Sequence, residues 1–138
     1  MILAIDIGNT NIVTGCIKDG KIIFRERLST KHTATKLEYS AIFKTAFEMY
    51  GINSGEIEGA IISSVVPSVT GVVKDSIETL CGTQVMVVDP EKKTGISIVI
   101  DNPAQLGSDL VVDAVAGVSE YSVPQIIIDM GTATTITA

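Results

Sequence analysis

The sequence predicts an α/β fold with one mixed β-sheet, and three observations carry that expectation. Short apolar runs joined by tight turns open the chain, the pattern of an antiparallel meander. From Thr35 onward, segments with three- and four-residue apolar spacing alternate with short apolar runs, an order that lays helices over a partly parallel sheet. Hydrophobic residues make up 46% of the 138 positions and charged residues 19%, so the chain can fill a core and is not a disordered polymer.

Residues 2–7 form the first apolar run, broken at Gly8-Asn9-Thr10-Asn11, and a second run reaches Ile17. Asp19-Gly20 marks a hairpin, and Lys21–Arg27 alternates as a third strand. Leu37, Ile42, Phe43, Ala46, Phe47 and Met49 then recur at three- and four-residue spacings, as in an amphipathic helix, with a capping box at Thr35 and Glu38 and a stop at Gly51. After the polar link 53–58, Ala60–Val66 reads as a buried strand closed by Pro67. Ser68 is expected to cap a helix from Val69 to Leu80, ended by Gly82. Gln84–Val88 reads as a strand, Asp89-Pro90 as a turn, and Gly95–Ile100 as a short extended piece. Asn102-Pro103 opens a loop, Leu106–Tyr121 is helical with Gly117 as a weak point, and Gln125–Met130 and Ala133–Ala138 close the chain.

Ten Lys and Arg against 16 Asp and Glu give a net charge of −6. A basic footprint for nucleic acid is therefore not expected. No apolar run reaches the roughly 18 residues of a membrane span, and the opening segment meets Asp6 too early for a signal peptide. With Cys16 and Cys81 its only cysteines, the chain is expected to keep both as reduced, buried thiols, as in the cytoplasm. Charge by position is more telling: residues 94–138 hold Asp101, Asp109, Asp113, Glu120 and Asp129 and no Lys or Arg. Carboxylates that converge there must be protonated, solvated or neutralised by a cation.

An internal repeat alters the domain arithmetic. The segment Leu3-Ala-Ile-Asp6-Ile-Gly8-Asn-Thr matches Ile126-Ile-Ile-Asp129-Met-Gly131-Thr-Ala at a constant offset of 123. The expected organisation is one lobe over 1–123, followed at 124–138 by the opening strand and turn of a second lobe.

Each motif has a chemical and a plain structural reading. At Asp6-x-Gly8-Asn9-Thr10-Asn11, the glycine lets backbone approach a phosphate, the polar side chains offer donors, and Asp6 can hold Mg²⁺; the same residues also suit an ordinary turn. Two such turns, from the two copies, can clamp the phosphates of a nucleotide. Asp109, just after Gly107 at a helix start, can accept a proton from a hydroxyl that attacks a phosphate, or can simply stabilise the helix terminus. Ser63-Ser64-Val-Val-Pro67 reads as a strand end, and His32 as a solvated spacer.

Together these motifs resemble those of the type III pantothenate kinases, within the acetate and sugar kinase/Hsp70/actin superfamily. Asp6-x-Gly8-Asn9-Thr10-Asn11, Ser63-Ser64-Val-Val-Pro67, Asn102-Pro103-x-x-x-Gly107-x-Asp109 and Asp129-x-Gly131-Thr132-Ala133-Thr134 occur in that order. By length, the chain resembles the first half of a member. The resemblance implies two ribonuclease H-like lobes of the actin-like ATPase type with ATP between them. It implies that Asp6, Ile7, Gly8, Asn9, Thr10, Asn11, Ile12 and Val13 form the first phosphate loop, with Thr132 in the second. It implies pantothenate contacts at Ile100, Gly107, Ser108, Asp109 and Leu110, with Asp109 as proton acceptor. Asp129 is implied as ligand of a monovalent cation, K⁺ or NH₄⁺, and ATP and Mg²⁺ as cofactors.

The implied reaction is phosphorylation of pantothenate to 4′-phosphopantothenate, the first step of coenzyme A synthesis, in a cytoplasmic homodimer with no nucleic-acid or membrane partner. This chain alone is expected to be inactive. Two positions depart from the family pattern: Leu110 stands where many relatives have Arg, and Ile100 where many have Tyr. The rival readings are a non-catalytic nucleotide-binding or transcriptional accessory protein of the same family, and a relative acting on a sugar.

Overall fold

Alternate apolar positions build the first strands. In the computed structural model, which describes residues 1–89, 94–99, 106–131 and 133–138, β1 (Ile2–Ile7) turns Leu3, Ile5 and Ile7 into the core and leaves Asp6 exposed. It pairs antiparallel with β2 (Asn11–Lys18), whose Ile12, Thr14 and Cys16 share that buried face. At the next hairpin, Asp19 and Gly20 both take positive φ, 51° and 72°, as a two-residue turn matched to strand twist requires. The chain returns as β3 (Lys21–Ser29), longer than its alternation suggested.

The capping box at the first helix is present in both directions. The Thr35 N–H donates to Glu38 Oε2 at 2.7 Å and the Glu38 N–H to Thr35 Oγ1 at 3.3 Å, opening α1 (Lys36–Met49). A short 3-10 turn at Ser54–Glu56 leads to β4 (Gly59–Ser64), parallel to β1. The next helix corrects the expected cap: α2 (Pro67–Cys81) starts at Pro67 with Val66 as its cap residue, and Ser68 lies inside it. Proline suits the first helical position, because the N–H it lacks would have no intrahelical partner there and its φ is preset, so the helix starts earlier than a serine cap at position 68 would place it. A short β5 (Val85–Val87) joins β4 in parallel, completing the order β3-β2-β1-β4-β5.

One face of that sheet holds the core. Tyr39, Phe43 and Phe47 of α1 and Val69, Val73 and Ile77 of α2 bury against Leu3, Ile5, Ile7, Ile12 and Ile62. The buried Ser76 hydroxyl donates to the Lys36 carbonyl at 3.0 Å, tying α2 to the start of α1. Both cysteines are free, Cys16 buried and Cys81 half-buried. Burial pushes the Cys81 thiol up to about 11 and raises Cys16 as well, so neither is a ready nucleophile.

The described chain divides into two compact units, Met1–Val87 and Val88–Ala138. In the second, residues 94–99 form no strand, against the expected extended piece, and Ile100 lies outside the described residues. A run such as Ser97-Ile98-Val99 has strand-like composition, but a strand needs a partner ladder. Next come α3 (Ser108–Glu120), β6 (Ile127–Met130) and β7 (Thr134–Thr137), the last two forming an antiparallel hairpin. Gly117, the weak point of α3 by propensity, has a packing reason: a Cβ there would lie 2.9 Å from the Gln125 amide and from Ile127 Cδ1. Among the described residues, no helix is long and apolar enough to cross a membrane.

Candidate functional site

In the first unit, the loop read as a phosphate turn joins β1 to β2. The Gly8 N–H donates to the Asn11 carbonyl at 2.9 Å, closing a compact turn with Asn9 and Thr10 exposed at its tip. A side chain at position 8 would put its Cβ 3.2 Å from that same carbonyl oxygen, so the close approach favours glycine. Ile7 and Ile12 pair across the base of the turn with their side chains wholly in the core. What those two can offer a ligand is backbone.

Asp6 projects from the opposite face of β1, level with Val13 on β2 and Ser63 on β4. β1 and β4 are parallel and end side by side, where the Val65 N–H donates to the Ile7 carbonyl at 3.1 Å. Ser64 accepts from the Val66 N–H at 3.0 Å and from the Thr70 hydroxyl at 2.7 Å. These bonds fix the strand end beside the start of α2. Thr30, just beyond β3, reaches the turn twice: its N–H donates to the Thr10 carbonyl at 2.9 Å, and its hydroxyl to the Gly8 carbonyl at 2.6 Å. No motif in the sequence singles out Thr30, because the contact depends on the β2–β3 register.

In the second unit, Gly107 is the cap residue of α3 and makes no side-chain cap bond. Ser108 is buried, and Asp109 and Leu110 are half-buried in the first turn. Asp109 is not the cap residue, but its Oδ1 accepts from the Leu110 N–H at 2.9 Å, one of the first-turn donors without an intrahelical partner, as the helix-stabilising reading expects. One turn further on, burial holds the Asp113 carboxyl above the ordinary carboxylate range, with the charges of Asp129 and Asp109 adding to the effect. Asp113 is thus near enough to Asp129 and Asp109 to feel their charges. Asp113 was legible as the residue four positions after Asp109 on a predicted helix, although only the hairpin brings Asp129 to it.

An open groove of about 620 Å³ runs between α3 and β6, with Asp113, Gly117, Gln125, Ile127 and Asp129 among its walls. Asp129 stands directly across the hairpin from Thr135, whose hydroxyl oxygen is buried with no hydrogen-bond partner among the described residues. Among the described residues, no three His, Cys, Asp or Glu are arranged to hold a metal ion. Thr132, Asn102 and Pro103, like Ile100, lie outside the described residues.

The repeat seen in the sequence extends to hydrogen bonding. The Gly131 N–H donates to the Ala133 carbonyl at 3.1 Å, as the Gly8 N–H does to Asn11, in a turn one residue shorter. Ile126, Ile128 and Met130 occupy the positions of Leu3, Ile5 and Ile7, yet Ile126 is 69% exposed where Leu3 is 0%.

A family model for type III pantothenate kinases matches residues 2–138. A type III pantothenate kinase of Exiguobacterium sp. is 42% identical over 135 residues, covering 98% of this chain and 53% of the relative. One from Bacillus cytotoxicus is 41% identical over 135 residues, covering 98% of this chain and 52% of the relative. The chain spans about half the length of these curated relatives. Among solved structures, a putative N-acetylglucosamine kinase from Porphyromonas gingivalis aligns with a TM-score of 0.48 at 15% identity, over 68% of this chain and 37% of its own. A likeness at that level bears on neither substrate nor mechanism.

Proposed function

We propose, since this chain belongs to the type III pantothenate kinase family, that it carries the first phosphate turn and the phosphoryl-acceptor site of an enzyme making 4′-phosphopantothenate from ATP and pantothenate. The observation that carries the reading is the repeated glycine turn, closed by a bond from the glycine N–H to a carbonyl three residues on at Gly8 and two residues on at Gly131, and preceded each time by Asp and one spacer. Two such turns supply backbone donors to the phosphates of one nucleotide. By this account residues 1–123 make one lobe and 124–138 open the second, whose remainder would cover the exposed face of Ile126, Ile128 and Met130. The chain alone is then inactive, and the complete enzyme is a cytoplasmic homodimer.

Phosphoryl transfer asks a protein mainly for positioning, charge neutralisation and a base. In this reading Asp6 through Val13 hold the phosphates, with Thr132 contributing from the second turn. Gly107, Ser108, Asp109 and Leu110 receive pantothenate, with Ile100 beside them. Asp109 takes the proton from the pantothenate hydroxyl as its oxygen attacks the γ-phosphorus and the bond to the β-phosphate bridge breaks. Among the described residues, Asp109 accepts the Leu110 N–H through Oδ1, and an ionised carboxylate has further acceptor sites for that hydroxyl.

The donor chemistry fits the cations as well. Mg²⁺ commonly uses one or two carboxylates plus substrate phosphates, so Asp6 alone at the first turn suffices. Asp129 and the Thr135 hydroxyl, unpartnered among the described residues, offer the oxygen ligands that a monovalent cation, K⁺ or NH₄⁺, prefers. When bound, these ions supply countercharge to the phosphates and to the acidic cluster around Asp113.

Asp109→Asn tests the assignment when the chain is completed by the C-terminal half of a relative. Turnover with pantothenate falls by about 10²–10⁴-fold, the usual worth of a general base. Unchanged turnover removes Asp109 from the chemistry. Wild-type turnover with sugars but not pantothenate transfers the site to the sugar-kinase reading, and the absence of turnover with any acceptor favours the accessory-protein reading.

A further inference from the structure

The turn at Gly8 is held from outside its own sequence. The Thr30 N–H carries the β2–β3 ladder one step past the Asn11–Ser29 pair to the Thr10 carbonyl, at 2.9 Å. The Thr30 hydroxyl adds a 2.6 Å bond to the Gly8 carbonyl. Gly8 is thereby fixed at both ends, its N–H by Asn11 and its C=O by Thr30.

A peptide unit is planar and trans, so the C=O of one residue and the N–H of the next point in opposite directions. Fixing the Gly8 carbonyl toward Thr30 therefore fixes the Asn9 N–H away from it, at the exposed tip of the turn. Glycine at position 8 makes such a hold necessary, since it restricts its own backbone least of all residues. Unless constrained, that peptide plane can flip and present the carbonyl oxygen, a repulsive group, where an anion should bind.

We propose that Thr30 is the positioning residue of this turn: its hydroxyl holds the Gly8 carbonyl and so aims the Asn9 N–H at a phosphate of the nucleotide. The inference rests on reading Asp6–Val13 as a phosphate turn. Thr30 itself need not touch the ligand, and its contribution is the orientation of one backbone donor.

The test is a titration of the 138-residue chain with MgATP, followed through backbone amide resonances. In the wild type, the Asn9 amide shifts. Thr30→Ser, which keeps the donor, binds with unchanged affinity. Thr30→Val, similar in shape but without the donor, weakens binding by roughly three- to tenfold, the worth of one ordinary hydrogen bond. Amide-exchange protection in β1, β2 and β3 stays at wild-type level, separating orientation from unfolding. If the valine variant does not fold, Thr30→Ala takes its place in the comparison. Wild-type affinity in the donor-free variant overturns the role of Thr30 and leaves the phosphate turn standing, as does lost affinity in a folded Thr30→Ser. No shift anywhere from Asp6 to Val13 in the wild type overturns the phosphate turn itself, and the role of Thr30 with it.

Discussion

At Gly8, a side chain would meet the Asn11 carbonyl at 3.2 Å, and this one crowded contact explains why glycine opens the turn. The sequence motif marked the position, while the reason for it required the hydrogen bond. Glu38 shows the reverse case, in which the sequence already contained the mechanism. Its carboxyl titrates below its ordinary 4.5 because it accepts from the Thr35 N–H and hydroxyl. A depressed carboxyl stabilises the fold fully above its unfolded value, and that stabilisation fades as pH falls through the folded value. Melting temperatures of the wild type and Glu38→Gln are therefore expected to differ at neutral pH and to converge in acid. A gap that is constant from about pH 3 to 6 would show that the ionised cap does not stabilise α1.

Among the elements, strands with clear alternation and helices with capping signals were legible; boundaries decided by partners were not. Ser68 looked like a cap because serine often is one, but Pro67 had already set the first helical φ. Gly117 is the more instructive position, since helix propensity alone recommends replacing it. Alanine there gains about 1 kcal/mol of propensity, yet its Cβ would press on the Gln125 amide and Ile127 at 2.9 Å. Both contacts are with the ends of side chains that can swing, so Gly117→Ala is expected to come out within about 1 kcal/mol of the wild type. Gly117→Leu cannot fit beneath both, and a loss of about 2 kcal/mol is expected, read by denaturant titration alongside amide exchange in β6 and β7. Full stability in the leucine variant would show that the hairpin does not rest on α3 at Gly117.

For the molecule as a whole, the internal repeat was the most informative feature of the sequence, and the structure gives it physical content. Both copies turn an apolar face one way and an aspartate the other. In the first copy the apolar face is sealed by α1 and α2, whereas Ile128, Met130 and Ile136 in the second are 58%, 82% and 70% exposed. The candidate positions Asp6, Gly8, Asp109 and Asp129 were named from motifs alone. Thr30 and Thr135 were not singled out, because each acquires its place from a strand register that no local motif encodes.

The central claim is that these 138 residues hold a substrate site and a phosphate turn that support phosphoryl transfer only when a second half completes the nucleotide pocket. Formation of 4′-phosphopantothenate from ATP and pantothenate tests it most directly, measured for the chain alone and for the chain joined to the C-terminal half of the Exiguobacterium relative. The account predicts product from the joined protein and none from the chain alone. Equal turnover by the chain alone would contradict it.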